Sequence, residues 1–124
     1  MSKKYQLVDV DNEQSRKAFL ELPVRLYKNE EHWIRPLDKD IEEVFDPGKN
    51  KFFRNGEAAR WIVVDENQTT VGRVAAFYDK KTAQSYEQPT GGMGFFECIN
   101  DKEAAFMLFD QCKNWLEERG MEAM

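Results

Sequence analysis

The run GFFECI, residues 94–99, is apolar on both faces of a strand except at Glu97. From Ala105 the period changes. Ala105, Leu108, Phe109, Cys112, Trp115 and Leu116 recur at spacings of three and four, one wide apolar helix face. Gly120 stands where such a helix needs a residue that tolerates positive φ. A buried strand feeding a long helix usually continues into a parallel strand that closes a right-handed β-α-β unit. After Gly120 only MEAM follows, and Met121 and Met124 begin at most a truncated strand. The expectation is the first part of a larger sheet, or a domain whose edge something else completes.

The rest of the chain supplies the sheet. YQLVDV, residues 5–10, alternates and reads as a short first strand. Asp11 with Gln14 predicts a capping box for a helix carrying Ala18, Phe19 and Leu22, which Pro23 breaks or kinks. Ile41, Val44 and Phe45 predict a short second helix ending at DPG. Asn55-Gly56 signals a turn. ARWIVVD (59–65) and TVGRVAAFYD (70–79) flank a polar ENQT and read as an antiparallel hairpin. Residues 83–93 read as a loop. The run at 94–99, apolar on both faces, suggests a central strand. Asn100 with Glu103 predicts the cap of the last helix. The order is β-α-α-β-β-β-α: an α+β fold, mostly antiparallel, in a single domain over residues 1–124.

Charge and composition narrow the function. Lys and Arg number 18 against 23 Asp and Glu, a net charge of -5, and no basic cluster with interleaved aromatics appears. That argues against a nucleic-acid partner. No apolar run approaches the roughly 20 residues of a membrane helix, and MSKKYQLVDV has no signal core. A cytoplasmic protein is expected. Cys98 lies in a strand pattern and Cys112 on a helix face, so two buried thiols are expected rather than a disulfide. His32 has no Cys or second His near it, which speaks against a metal site.

The motifs ELPVRLY, HWIRPL, DPGKNKFF, VGRVAAFYD, GFFEC and NWLEERGM, in this order, resemble an uncharacterised GNAT-like family of longer bacterial proteins, from about residue 19 onward. The element order is also similar to the first half of the GNAT N-acetyltransferase fold. One departure is Lys51 before Phe52-Phe53, where that family tends to have proline. The resemblance implies a CoA-dependent N-acyltransferase acting on an unknown amine, inactive as this chain alone. It implies acetyl-CoA or another acyl-CoA as donor. The main chain of Glu97, Cys98 and Ile99 would hold the pantetheine arm as an added strand. The diphosphate would sit at the junction that contains Asn100. A non-catalytic GNAT-like scaffold or interaction domain is the alternative.

The junction INDKEAAF tempers that implication. Phosphate binding at a helix start uses free N–H groups and glycines that let the backbone approach. Here there is no glycine, and Asp101 and Glu103 already place negative charge there. A structurally satisfied corner is the stronger reading.

Glu97 is the leading catalytic candidate. An acid inside an apolar strand is desolvated, which raises its pKa and suits a general base. The structural reading points it to a solvated or helix-capping position, or pairs it with Arg73 on the neighbouring strand. Tyr78 is a candidate acid that reprotonates a leaving thiolate, against the commoner role of a packed tyrosine with a wet hydroxyl. Gly72 suggests a bulge or a close approach. Tyr27, Trp33, Phe52 and Phe53 line an acceptor pocket or pack a core. DKDIEEVFD reads as a solvated helix face. An unfinished sheet edge would also drive homodimerisation or capture a partner strand.

Overall fold

A computed structural model of the chain describes residues 5–29, 37–46, 48–50, 56–79 and 91–121. The elements are β1 (Gln6–Asp9), α1 (Glu13–Leu26), α2 (Asp38–Val44), β2 (Gly56–Val64), β3 (Thr70–Asp79), β4 (Gly92–Cys98) and α3 (Lys102–Glu118). The strands form one antiparallel sheet in the order β1-β2-β3-β4. Gly56 opens β2 rather than sitting in a turn, and β4 begins at Gly92 inside the expected loop. Asn55, His32, Trp33, Phe52, Phe53 and Met124 lie outside the described residues.

Strand alternation divides the core in two. On one face Trp61, Val63, Val74, Ala76 and Tyr78 meet Ala104, Leu108, Cys112, Trp115 and Leu116 of α3. On the other, Ile62 and Val64 meet Phe19 of α1 and Ile41 of α2. Each large side chain buried this way contributes about 1.5–3 kcal/mol before the entropy of ordering it. Both thiols are free: Cys112 is buried within the α3 face and Cys98 is half-buried. Burial pushes the Cys112 thiol up to about 12.

Among the described residues β4 stands at one end of the sheet. Its two-faced apolarity has a direct cause: the clusters on both faces reach it, through Phe96 and Cys98 on one side and Phe95 on the other. The strand is also bulged. Arg73 faces Glu97 and Ala75 faces Gly94, so two steps along β3 match three along β4. Phe95 adopts φ 55 there.

The expected irregularity at Gly72 is present. Val63 faces Gly72 and Val64 faces Thr70, leaving Val71 as an extra residue. A Cβ on Gly72 would lie 2.8 Å from Leu108 Cδ1 and 3.2 Å from Cys98 Sγ. Gly72→Ala is therefore expected to cost about 1–3 kcal/mol, read as a lower urea midpoint at unchanged slope. A midpoint equal to wild type would mean that α3 shifts freely away from the sheet.

Both helix starts fall one residue later than expected. The α1 cap is Asn12, whose Oδ1 accepts the Ser15 N–H at 2.8 Å while the Asn12 N–H donates to Ser15 Oγ at 3.1 Å. Starting there sets Ser15, Phe19 and Leu22 on one buried stripe. The α3 cap is Asp101 rather than Asn100, which is exposed. Pro23 does not break α1, which runs three residues past it. Gly120, at φ +84, closes α3 as expected: Met121 N–H bonds Leu116 C=O at 2.9 Å and Gly120 N–H bonds Glu117 C=O at 3.1 Å.

Candidate functional site

Proline at position 23 has a consequence across the sheet. It has no N–H to give the carbonyl four residues earlier, that of Phe19. Arg73 Nη1 donates to that carbonyl instead, at 2.7 Å. Arg73 is 5% exposed, and its guanidinium lies 4.6 Å from the Phe19 ring centre and 5.7 Å from that of Phe95. Burial pushes its pKa below the ordinary value, and the Glu97 carboxylate opposes that shift. Among the described residues its Nε has no hydrogen-bond partner.

Glu97 is the ladder partner of Arg73 and is half-buried. Tyr27, the C-cap residue of α1, donates its hydroxyl to Glu97 Oε2. α1 thus engages the bulged part of the sheet twice, from its middle through the Phe19 carbonyl and from its end through Tyr27. Tyr27 was singled out in the sequence only as an aromatic; its hydroxyl is what matters here.

Tyr78 sits elsewhere. It belongs to the α3 face, whereas Arg73 and Glu97 belong to the α1 face. It also lies five positions along β3 from Arg73, about 17 Å at strand rise. Its hydroxyl donates to Glu57 Oε1 at 2.6 Å, and that bond, then burial, raises its pKa. Glu57 in turn takes Arg119 Nε at 3.1 Å, and Arg119 lies 4.0 Å above the Trp115 ring. The sheet therefore separates Glu97 and Tyr78 rather than bringing them together.

The main-chain groups expected on the free edge are only partly there. Ile99 N–H donates to Val71 C=O at 3.0 Å and Ile99 C=O accepts Asp101 N–H at 2.8 Å, so Ile99 is spent. Antiparallel alternation turns the main chain of Glu97 toward β3 as well and that of Cys98 outward. The Cys98 side chain faces α3, where burial and then the Asp101 charge raise its pKa.

At the junction, Asp101 Oδ1 accepts the Glu103 N–H at 2.9 Å and Oδ2 accepts the Tyr5 hydroxyl at 2.8 Å. A carboxylate stands where a bound phosphate would draw on the helix start. These residues do not fit a diphosphate.

One further buried charge was not among the residues singled out in the sequence. Arg60 is 8% exposed and meets Glu42 through two bonds of 3.0 Å, with its guanidinium 4.4 Å from the Phe45 ring centre. Glu42 is therefore not simply part of a solvated face. A charged residue at the second position of ARWIVV, next to a continuous apolar run, was the available signal. Beside this pair, Val44, Phe45, Asn50, Ala58, Phe77 and Phe95 line a hollow of about 420 Å³.

With this geometry in hand, the comparisons identify the fold. The chain matches a tandem GNAT protein from the clavulanic acid biosynthesis pathway with a TM-score of 0.70 at 11% identity, covering 95% of this chain and 34% of that one. It matches an acetyltransferase of the GNAT family from Staphylococcus aureus Mu50 with a TM-score of 0.61 at 11% identity, covering 95% and 70%. The architecture is that of the GNAT acetyltransferases, in part. In sequence, the chain is 29% identical over 112 residues to Protein YghO of Escherichia coli (strain K12). That match covers 88% of this chain but spans only 27% of the relative's length. No protein-family model matches the chain. Among the described residues, no helix is long and apolar enough to cross a membrane.

Proposed function

We propose that this region is the amino-terminal half of a GNAT-type acyltransferase unit in a longer cytoplasmic protein, and that it is inactive by itself. The reaction is acyl transfer from an acyl-CoA-type thioester to an amine. The observation that carries this is Glu97. It is a carboxylate fixed by Tyr27, opposite Arg73, on a bulged strand whose outer side carries no strand among the described residues. A positioned carboxylate beside such an edge suits taking the proton that an amine loses on acylation. Tyr78, held by Glu57 on the other face, has no part in this proposal.

A second reading is favoured by the Asp101 corner: the region is a GNAT-like scaffold that carries no chemistry. Calorimetric titration of acetyl-CoA separates the two. This chain is expected to bind none, and a version extended past Met124 is expected to bind. In the extended protein Glu97→Gln should lower release of free CoA thiol, with a panel of primary amines present, by about 100-fold or more, leaving acetyl-CoA binding unchanged. Full turnover in Glu97→Gln would remove the base role. No binding by the extended protein would leave the scaffold reading standing.

A further inference from the structure

The corner between β4 and α3 carries an anion of its own. α3 is a helix of 17 residues, so its start presents unpaired N–H groups and the positive end of a dipole. The half-buried Asp101 carboxylate faces that end with both oxygens used, one by the Glu103 N–H and one by Tyr5. Tyr5 itself packs against the α3-side core, so the carboxylate is held from outside the helix as well as within it. The Asp101 carbonyl takes the Ala105 N–H at 3.1 Å, and Asp101 N–H is tied to Ile99 C=O at 2.8 Å. Glu103 adds a second exposed negative charge in the first turn, against one exposed Lys102. No glycine lies between Gly94 and Gly120 to let a ligand reach the main chain closely.

We infer that Asp101, held by Tyr5, occupies the anion-binding end of α3, so that this unit takes no diphosphate there and recognises an acyl donor through the amide arm next to the acyl group. The first half of this inference stands on the corner alone. The second half rests on the acyltransferase reading. In that reading the nucleotide end of an acyl-CoA contributes little affinity, and a thioester on a bare pantetheine arm serves about as well.

The test reads the corner directly. Inorganic pyrophosphate is titrated into the nitrogen-15-labelled chain at constant ionic strength, and the amides of Lys102 to Ala105 are followed by NMR. In the wild type they should show no saturable shift. Asp101→Ser keeps a hydroxyl cap but removes the charge, and Asp101→Gly removes both. Both variants should gain a saturable shift in these amides, with affinity at least about tenfold above wild type. Serine preserves the helix start, so the test survives if the glycine variant unfolds. A saturable shift in the wild type overturns the inference, and so does a folded serine variant as silent as the wild type.

A second titration in the extended protein compares acetyl-CoA with S-acetylpantetheine. Affinities within about threefold support the arm-based recognition. Acetyl-CoA binding more than about tenfold tighter overturns it. If neither binds, the acyltransferase reading and the donor half of the inference fall together, while the pyrophosphate result still decides the corner.

Discussion

Arg73→Met is expected to destabilise the fold by about 2–4 kcal/mol. The substitution strands the Phe19 carbonyl, whose helical donor is absent because residue 23 is proline. An unpaired buried acceptor costs about 1–3 kcal/mol. The variant also removes two cation–π contacts, to Phe19 and Phe95, and the charge opposite Glu97. Against this stands the cost of burying a guanidinium whose Nε has no partner among the described residues, which methionine avoids. The losses outweigh that relief because three neighbours depend on the one side chain. The mechanism has a signature beyond its size. In a Pro23→Ala background the alanine N–H reaches the Phe19 carbonyl, so the same Arg73→Met change should cost about 1 kcal/mol less. Urea denaturation of the four proteins measures the coupling. A coupling near zero would mean that the carbonyl was satisfied without Arg73.

How far the sequence revealed this fold depends on which physical signal was in play. Element order was legible because period is a long-range pattern: six apolar residues on α3 and two alternating runs in the hairpin outweigh local noise. The caps were not legible to the residue. Asp11-Asn12 and Asn100-Asp101 each offer two adjacent side chains able to cap, and a local rule cannot choose between them. Packing chooses: the later start puts Ser15 and Ala104 on the buried stripes. The two-faced apolarity of β4 marks a packed layer on each side of it, and says nothing about neighbours beside it.

The candidate site was legible in pieces. Glu97 and Arg73 stood out as charges in apolar strands, and their pairing followed from adjacency. Their connection to α1 was hidden, because it runs through a main-chain carbonyl and a tyrosine 70 residues away in sequence. The separation of Tyr78 from Glu97 follows from their strands alone: Tyr78 lies five positions, an odd number, from Arg73 along β3, so alternation puts it on the face opposite the Arg73–Glu97 pair.

Leu108→Ala is expected to cost about 2–5 kcal/mol, since Leu108 is 0% exposed and sits in the middle of the α3 stripe. Where it falls in that range depends on whether the sheet can close the gap. Gly72 lies directly beneath, so the sheet offers no side chain there to relax into the space. That places the cost toward the upper part of the range. It also predicts an unusual compensation. Gly72→Ala alone is expected to be destabilising because its Cβ meets Leu108 Cδ1 at 2.8 Å. In Leu108→Ala that atom is gone, and the new methyl fills part of the cavity. The double variant should therefore be at least about 1 kcal/mol more stable than the sum of the single effects requires. Additive effects would place the obstruction at Cys98 Sγ, 3.2 Å away on the edge strand, rather than at α3. The distinction bears on the proposed function, because Cys98 is the residue whose main chain turns toward the free edge. An obstruction at Leu108 leaves that edge undisturbed when Gly72 is changed, whereas one at Cys98 moves the surface on which an added strand or an amide arm would pair.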